Sequence, residues 1–90
     1  MLRPVLSGRF KKDAKLAQKR GKDMSKLIAA VNLLLEEKPL FESYGDHPLK
    51  GNWKGWRDLH LEPDWLLIYR VEAFEPRLAR TGAHSDLFDE

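Results

Sequence analysis

The hydrophobic period of this chain changes once, and that change limits what it can fold into. Up to Leu35, apolar residues return every three or four positions, the repeat of a helix. From Gly55 onward they alternate, the repeat of a strand. Helices first and consecutive strands after predict an α+β domain with its helices grouped on the sheet. Ninety residues make one small domain, 1–90, with a modest core.

Leu2 to Leu6 reads as a short strand that Pro4 confines to an edge or an end. Ser7 or Gly8 starts a helix in which Phe10, Ala14 and Ala17 form a narrow apolar stripe, and Gly21 stops it. Asp23 caps a second helix, where Leu27, Val31, Leu34 and Leu35 share a face flanked by Ile28 and Ala30. Pro39 is expected to end it. The short connection predicts an antiparallel helical hairpin. Residues 39–55 read as irregular, punctuated by Pro39, Gly45, Pro48, Gly51 and Gly55, with Trp53 and Trp56 anchoring the loop.

Leu59 and Leu61 then point one way, and Trp56, Asp58 and His60 the other. Glu62-Pro63-Asp64 is a turn. The segment 65–71 is apolar on both faces and reads as a central strand. Glu72 to Pro76 is a turn, Arg77 to Gly82 a last strand, and His84 to Phe88 a tail that folds back. The order is β-α-α-β-β-β: a helical hairpin on one face of a small antiparallel sheet. His60 and Asp58 are left on the opposite face, expected to be open to a ligand.

There is no cysteine, so disulfides, thiolate metal sites and a thiol nucleophile are excluded. No apolar run resembles a signal peptide or approaches the roughly 18 residues of a membrane helix, so a cytoplasmic protein is expected, with no membrane partner. The net charge of +2 conceals an asymmetry. Residues 1–26 carry nine Lys and Arg against Asp13 and Asp23, or +7; residues 27–90 carry seven against twelve acids, or −5. A basic end of this strength favours phosphate backbones or an acidic protein partner.

Three histidines lie in the second half of the chain. They stand in Asp46-His47-Pro48-Leu49-Lys50-Gly51, in His60-Leu61-Glu62-Pro63-Asp64-Trp65, and in Arg80-Thr81-Gly82-Ala83-His84-Ser85-Asp86-Leu87-Phe88. Imidazole ordinarily titrates closest to neutrality and exchanges protons at cell pH. No pair has the i, i+4 spacing of a helical zinc motif, and no metal or cofactor is expected.

These segments carry a resemblance. The run from Asp46 through Trp53, Trp56, His60 and Trp65 to Tyr69, and the run from Arg80 to Phe88, resemble the signature of YafQ-type toxins. Lys15-Leu16-Ala17-Gln18-Lys19-Arg20, followed by Lys22-Asp23-Met24, is similar to that family's first helix and the turn after it. Such toxins belong to the RelE/ParE superfamily of bacterial type II toxin–antitoxin systems, and the likeness covers nearly the whole chain. It implies an endoribonuclease that cuts mRNA in the ribosomal A site and a cognate antitoxin, typically acidic, that neutralises it. Operator DNA would be contacted only through the antitoxin complex. Carried onto matching positions, the functional residues are His47, His60, Asp64, Trp65, Arg80, His84 and Phe88. Pro76 departs from the family pattern, is expected to shorten the last strand, and bears on the position of Arg80.

RNA carries its own nucleophile, the 2′-hydroxyl, so cleavage needs a base, an acid and positive charge for the phosphorane. His84 is expected to be the general acid and Arg80 the phosphate clamp. The base is His60, His47 or Asp64, which the sequence does not rank; Asp64 can instead orient a histidine. Trp65 and Phe88 are candidates for stacking on splayed bases. Lys11, Lys12, Lys15, Lys19 and Arg20 are expected to face ribosomal RNA. Two other functions compete: a non-nuclease toxin acting on DNA gyrase, as in the ParE branch, and a plain RNA- or ribosome-binding module.

Overall fold

The computed structural model describes residues 3–88. The elements are β1 (Val5–Leu6), α1 (Gly8–Lys19), α2 (Met24–Leu35), β2 (His47–Pro48), β3 (Arg57–Glu62), β4 (Trp65–Glu72), β5 (Glu75–Gly82) and α3 (His84–Phe88). Two single-turn 3₁₀ segments, Glu42–Tyr44 and Gly51–Trp53, interrupt the long connection.

Both long helices start as the sequence predicts. Ser7 Oγ accepts the Phe10 N–H at 2.9 Å, and Asp23 Oδ1 accepts the Ser25 N–H at 3.0 Å. Both also end in the same motif. Gly21 closes α1 at φ +83°, with Lys22 N–H on Ala17 O at 3.1 Å. In α2 the left-handed position falls to Glu37 at φ 55°, with Lys38 N–H on Leu33 O at 3.0 Å. The helix therefore stops at Leu35, before Pro39 can act. The buried stripe of α2 is Leu27, Ala30 and Leu34, and Ile28 is exposed instead of flanking the core.

The sheet order is β1-β5-β4-β3-β2. Neighbours are antiparallel except at one edge, where β1 runs parallel to β5 and makes the sheet mixed. The helical hairpin carries the chain from that edge to the other, and three antiparallel strands bring it back beside β1.

The turn between β4 and β5 uses Ala73 and Phe74, both at positive φ (53° and 66°). That is the twist a two-residue hairpin needs, although neither residue favours it. Pro76 does not shorten β5, which begins at Glu75. Glu72 and Glu75 flank the turn and Val71 faces Pro76. Pro76 is then in a non-hydrogen-bonded pair with β4, and β1 starts only at Arg77, so no partner needs its missing N–H.

The core between helices and sheet holds Phe10, Ala17, Leu27, Ala30 and Leu34 against Leu59, Leu61, Trp65, Leu67, Tyr69 and Leu78. The other face of the sheet is not open. Leu66, Ile68 and Ala79 are covered by Leu87 of α3 and by Leu49, Trp53, Trp56 and Phe88. The loop tryptophans serve as anchors: their rings meet edge to face at 6.0 Å, and Arg70 lies over Trp56 at 4.5 Å. What remains uncovered is the end of the sheet where β2, β3 and α3 meet.

Candidate active site

The alternation of β3 sends Leu59 and Leu61 to the helices, and Asp58 and His60 to the opposite face. β2 then places His47 opposite Asp58, and α3 begins with His84. The three imidazoles stand in a row: 6.0 Å separates the ring centres of His47 and His60, and 5.9 Å those of His60 and His84. Phe88 continues the row 6.3 Å from His84.

Each Nδ1 is engaged. His60 Nδ1 lies 3.1 Å from Tyr44 O and His47 Nδ1 2.9 Å from Gly45 O. A carbonyl oxygen only accepts, so these nitrogens carry the protons and each Nε2 keeps its lone pair when the ring is neutral. His84 Nδ1 lies 2.6 Å from Asp64 Oδ1, which also accepts the His84 backbone N–H at 3.0 Å. Those two bonds, the backbone one first, hold the Asp64 carboxyl below the usual carboxylate range.

Asp58 lies beneath the row and is 3% exposed. Its Oδ1 is 2.9 Å from His47 Nδ1. The proton of that nitrogen is directed at Gly45, so Oδ1 has a close charge contact but no hydrogen bond. Burial pushes the Asp58 carboxyl up, and positive charge on the three histidines opposes the shift. The position of Asp58 on β3 was legible, but its burial was not, because β2 is invisible to the hydrophobic pattern.

Gly45 is required where it stands. It has φ +58°, and a Cβ there would sit 3.2 Å from His60 Nδ1. Asp46, the next residue, accepts from Arg57 and Tyr69. None of Asp46, Arg57, Tyr69 or Asp13 was singled out by the sequence, since their partners are far along the chain.

Two expected site residues stand outside the imidazole row and have other contacts. Trp65 is 1% exposed and part of the core, so its ring cannot stack on a base. Strand β4 is central, and Trp65 opens it on the helix side, with Lys22 over the ring at 5.8 Å. Arg80 forks onto Asp13 of α1 through Nε at 2.9 Å and Nη2 at 3.0 Å. Ala79 is the extra residue of a bulge: Ile68 pairs with Arg80, and Tyr69 with Leu78. Beyond β1, Asp13 also accepts the Thr81 N–H at 3.3 Å and caps the free edge of β5. Arg80 Nη1 has no protein hydrogen bond among the described residues. A cavity of about 340 Å³ beside it is lined by Arg20, Lys22, Asp64 and Trp65. Lys11, Lys12, Lys15 and Lys19 of α1 and its C-cap Arg20 are all exposed. Among the described residues no cluster of His, Asp and Glu is arranged to hold a metal ion, and no helix is long and apolar enough to cross a membrane.

Residues 2–89 match the family described as bacterial toxin of type II toxin-antitoxin system, YafQ. By class, then, this is a toxin of a bacterial type II toxin–antitoxin system. The chain belongs to the YafQ family. It is 54% identical over 83 residues to the mRNA interferase toxin YafQ of Escherichia coli K12, spanning 91% of this chain and 90% of that one. The crystal structure of YafQ from E. coli BL21(DE3) superposes with a TM-score of 0.91 at 49% identity, over 98% of this chain and 99% of that one. YafQ in the E. coli DinJ–YafQ complex superposes with a TM-score of 0.89 at 50% identity, over 98% and 99% of the two chains.

Proposed function

We propose that this toxin cuts mRNA in the ribosomal A site by metal-independent acid–base catalysis, with the RNA 2′-hydroxyl as nucleophile. Its kinship with an mRNA interferase makes it an endoribonuclease; ribosome dependence and the roles below are the proposal. The observation that carries them is the row of imidazoles with every Nδ1 committed and no Nε2 hydrogen-bonded among the described residues.

In this mechanism a neutral His60 or His47 takes the 2′-hydroxyl proton on Nε2. The 2′-oxygen attacks the adjacent phosphorus, the P–O5′ bond breaks, and a 2′,3′-cyclic phosphate forms. His84, protonated and held by Asp64, gives its Nε2 proton to the departing 5′-oxygen. Asp64 is the orienting group and not the base, because its Oδ1 already accepts twice from His84. Each placed acid or base is worth about 10²–10⁴-fold. Arg80 offers Nη1 to the phosphorane while Asp13 keeps its other edge. Phe88, half-buried and next to His84, is the surface on which a base stacks.

The proposed partners are the ribosome, its message and a cognate antitoxin of acidic character, with operator DNA reached only through the antitoxin complex, all in the cytoplasm. E. coli YafQ is found in complex with DinJ. The exposed basic face of α1 is the footprint for ribosomal RNA.

The test is to map RNA 5′ ends in a translating bacterial extract, with wild-type protein and with His84→Ala. New ends on translated messages, lost without ribosomes and lost with the variant, are expected. A folded His84→Ala protein that cuts like wild type overturns the assignment. Ends on free RNA would remove the ribosome from the mechanism. No new ends with wild type would return the gyrase and binding-module functions to contention.

A further inference from the structure

We infer that Asp46, Arg57 and Tyr69 form a positioning set that fixes the tautomers of His47 and His60. The inference rests on the proposed roles of those histidines. The two carbonyls that hold their Nδ1 protons belong to consecutive residues, Tyr44 and Gly45. Asp46 follows directly and is the one carboxylate in that loop bound to the sheet. Arg57 donates to it from Nε at 3.2 Å and Nη2 at 2.9 Å, and the Tyr69 hydroxyl donates to Oδ1.

Both donors sit on rigid elements. Arg57 and Tyr69 are a register pair on β3 and β4, and Tyr69 is 3% exposed in the core. They lie on the helix side of the sheet, away from His60. Asp46 therefore reaches through to the back of the sheet while its neighbours present their carbonyls to the front. The rest of the loop is held by packing and by β2 pairing with β3, with Leu40 and Tyr44 against the core, while Gly45 is left-handed and the 3₁₀ turn before it has no side-chain cap, so Asp46 supplies the side-chain hydrogen bonds that set where these carbonyls stand. Without the Asp46 clamp, Tyr44 O and Gly45 O lose their fixed positions. The His60 imidazole is then free to carry the neutral proton on Nε2, where it blocks the lone pair that must receive the 2′-hydroxyl proton, and His47, whose Nδ1 also lies 2.9 Å from Asp58 Oδ1, is freed less.

None of these three residues touches the reacting atoms, so the test needs a readout that a merely structural role would not move. That readout is the tautomeric state of His47 and His60, from imidazole ¹⁵N chemical shifts of the full-length protein above the histidine titration range. In the wild type both rings are expected to be protonated on Nδ1. In Asp46→Ala and in Tyr69→Phe His60 should shift toward Nε2–H, and His47, with Asp58 Oδ1 still beside its Nδ1, should shift less. Cleavage should fall by about 10- to 100-fold in kcat, the scale on which a misplaced reacting group costs rate, with KM unchanged. Arg57→Lys, which keeps the charge but not the fork, should fall between wild type and Asp46→Ala.

Wild-type tautomers in a folded Asp46→Ala protein overturn the inference. If that variant does not fold, Tyr69→Phe decides, because it removes only a hydroxyl. Failure of the catalytic reading looks different: His47→Gln and His60→Gln would both cleave normally whatever the tautomers show.

Discussion

Asp64 and His84, twenty residues apart, are joined twice: one carboxylate oxygen accepts both the backbone N–H of His84 at 3.0 Å and its Nδ1–H at 2.6 Å. The turn between β3 and β4 and the start of α3 are thereby locked together, and the imidazole is presented with Nε2 outward. Asp64→Asn puts a donor within reach of Nδ1 and favours the wrong tautomer. Single-turnover cleavage is expected to drop by about 10²-fold or more, within the range of a positioned acid. The carboxyl is held below its ordinary 3.8, so its contribution to stability is present above that pH and is lost as pH falls through the lower folded value. Melting curves of the wild type and of Asp64→Asn should therefore differ at pH 7 and converge in strong acid.

Asp58 has the opposite sign. Burial raises its pKa above 3.8, so the ionised form destabilises the fold at neutral pH, and protonation relieves this as pH falls through the raised value. Asp58→Asn should melt a few degrees higher than wild type at pH 7, since about 1 kcal/mol moves the midpoint of a domain this size by roughly 4–8 °C. It should cleave more slowly, because the negative charge beneath the histidine row is lost. A variant that is less stable and fully active would contradict this account.

Arg80 and Asp13 are expected to be as important to folding as to chemistry. Their side chains are 17% and 14% exposed, so Arg80→Ala leaves a largely buried carboxylate with only the Thr81 N–H. A loss of about 1–3 kcal/mol is expected by urea unfolding. Asp13→Ala combined with Arg80→Ala should cost less than the two single changes added together. Additive losses would mean that the ion pair contributes no coupling.

Trp65→Ala should lose about 3–5 kcal/mol, as for other large aromatic truncations in cores. Activity lost with a normal unfolding midpoint would instead place the ring against substrate. Phe88→Leu keeps most of the packing on Leu66 and Ile68 and is expected to lower activity while leaving the midpoint within about 1 kcal/mol of wild type.

Reversing two charges on α1, Lys11→Glu and Lys15→Glu, should weaken ribosome association most at low salt and flatten its salt dependence, because fewer counterions are released. Sedimentation with ribosomes across a salt series reads this directly. An unchanged slope would reduce that face to a solvated surface.

The two long helices and the three long strands were legible in the sequence, because their causes are local, whereas β2 and the two 3₁₀ turns fall in the segment 39–55 that reads as irregular. Ser7 and Asp23 cap helices whose first amides lie two or three residues away, and Gly21 ends one within a turn. Leu59 and Leu61 alternate with Asp58 and His60, so the face carrying His60 follows from period two alone. The segment 65–71, apolar on both faces apart from Arg70, marks β4 as a central strand, and the sheet order and the two core clusters bear that out. The three histidines and Asp64 were singled out by residue type and resemblance.

What each side chain meets was decided by tertiary structure. Asp13 holds Arg80 across 67 positions, Tyr44 O fixes His60 across 16, and Asp46 takes the Tyr69 hydroxyl across 23. No hydrophobic period records such pairings, because they depend on which strands become neighbours. The same holds for the parallel seating of β1, the covering of the second sheet face by Trp53, Trp56 and α3, and the burial of Trp65. Periodicity and capping act over one or two turns of chain, so the sequence determines helices, strands and their faces. The proton positions on the imidazoles and the partners of the charges depend on distant segments, which come together only when the sheet closes against the helices.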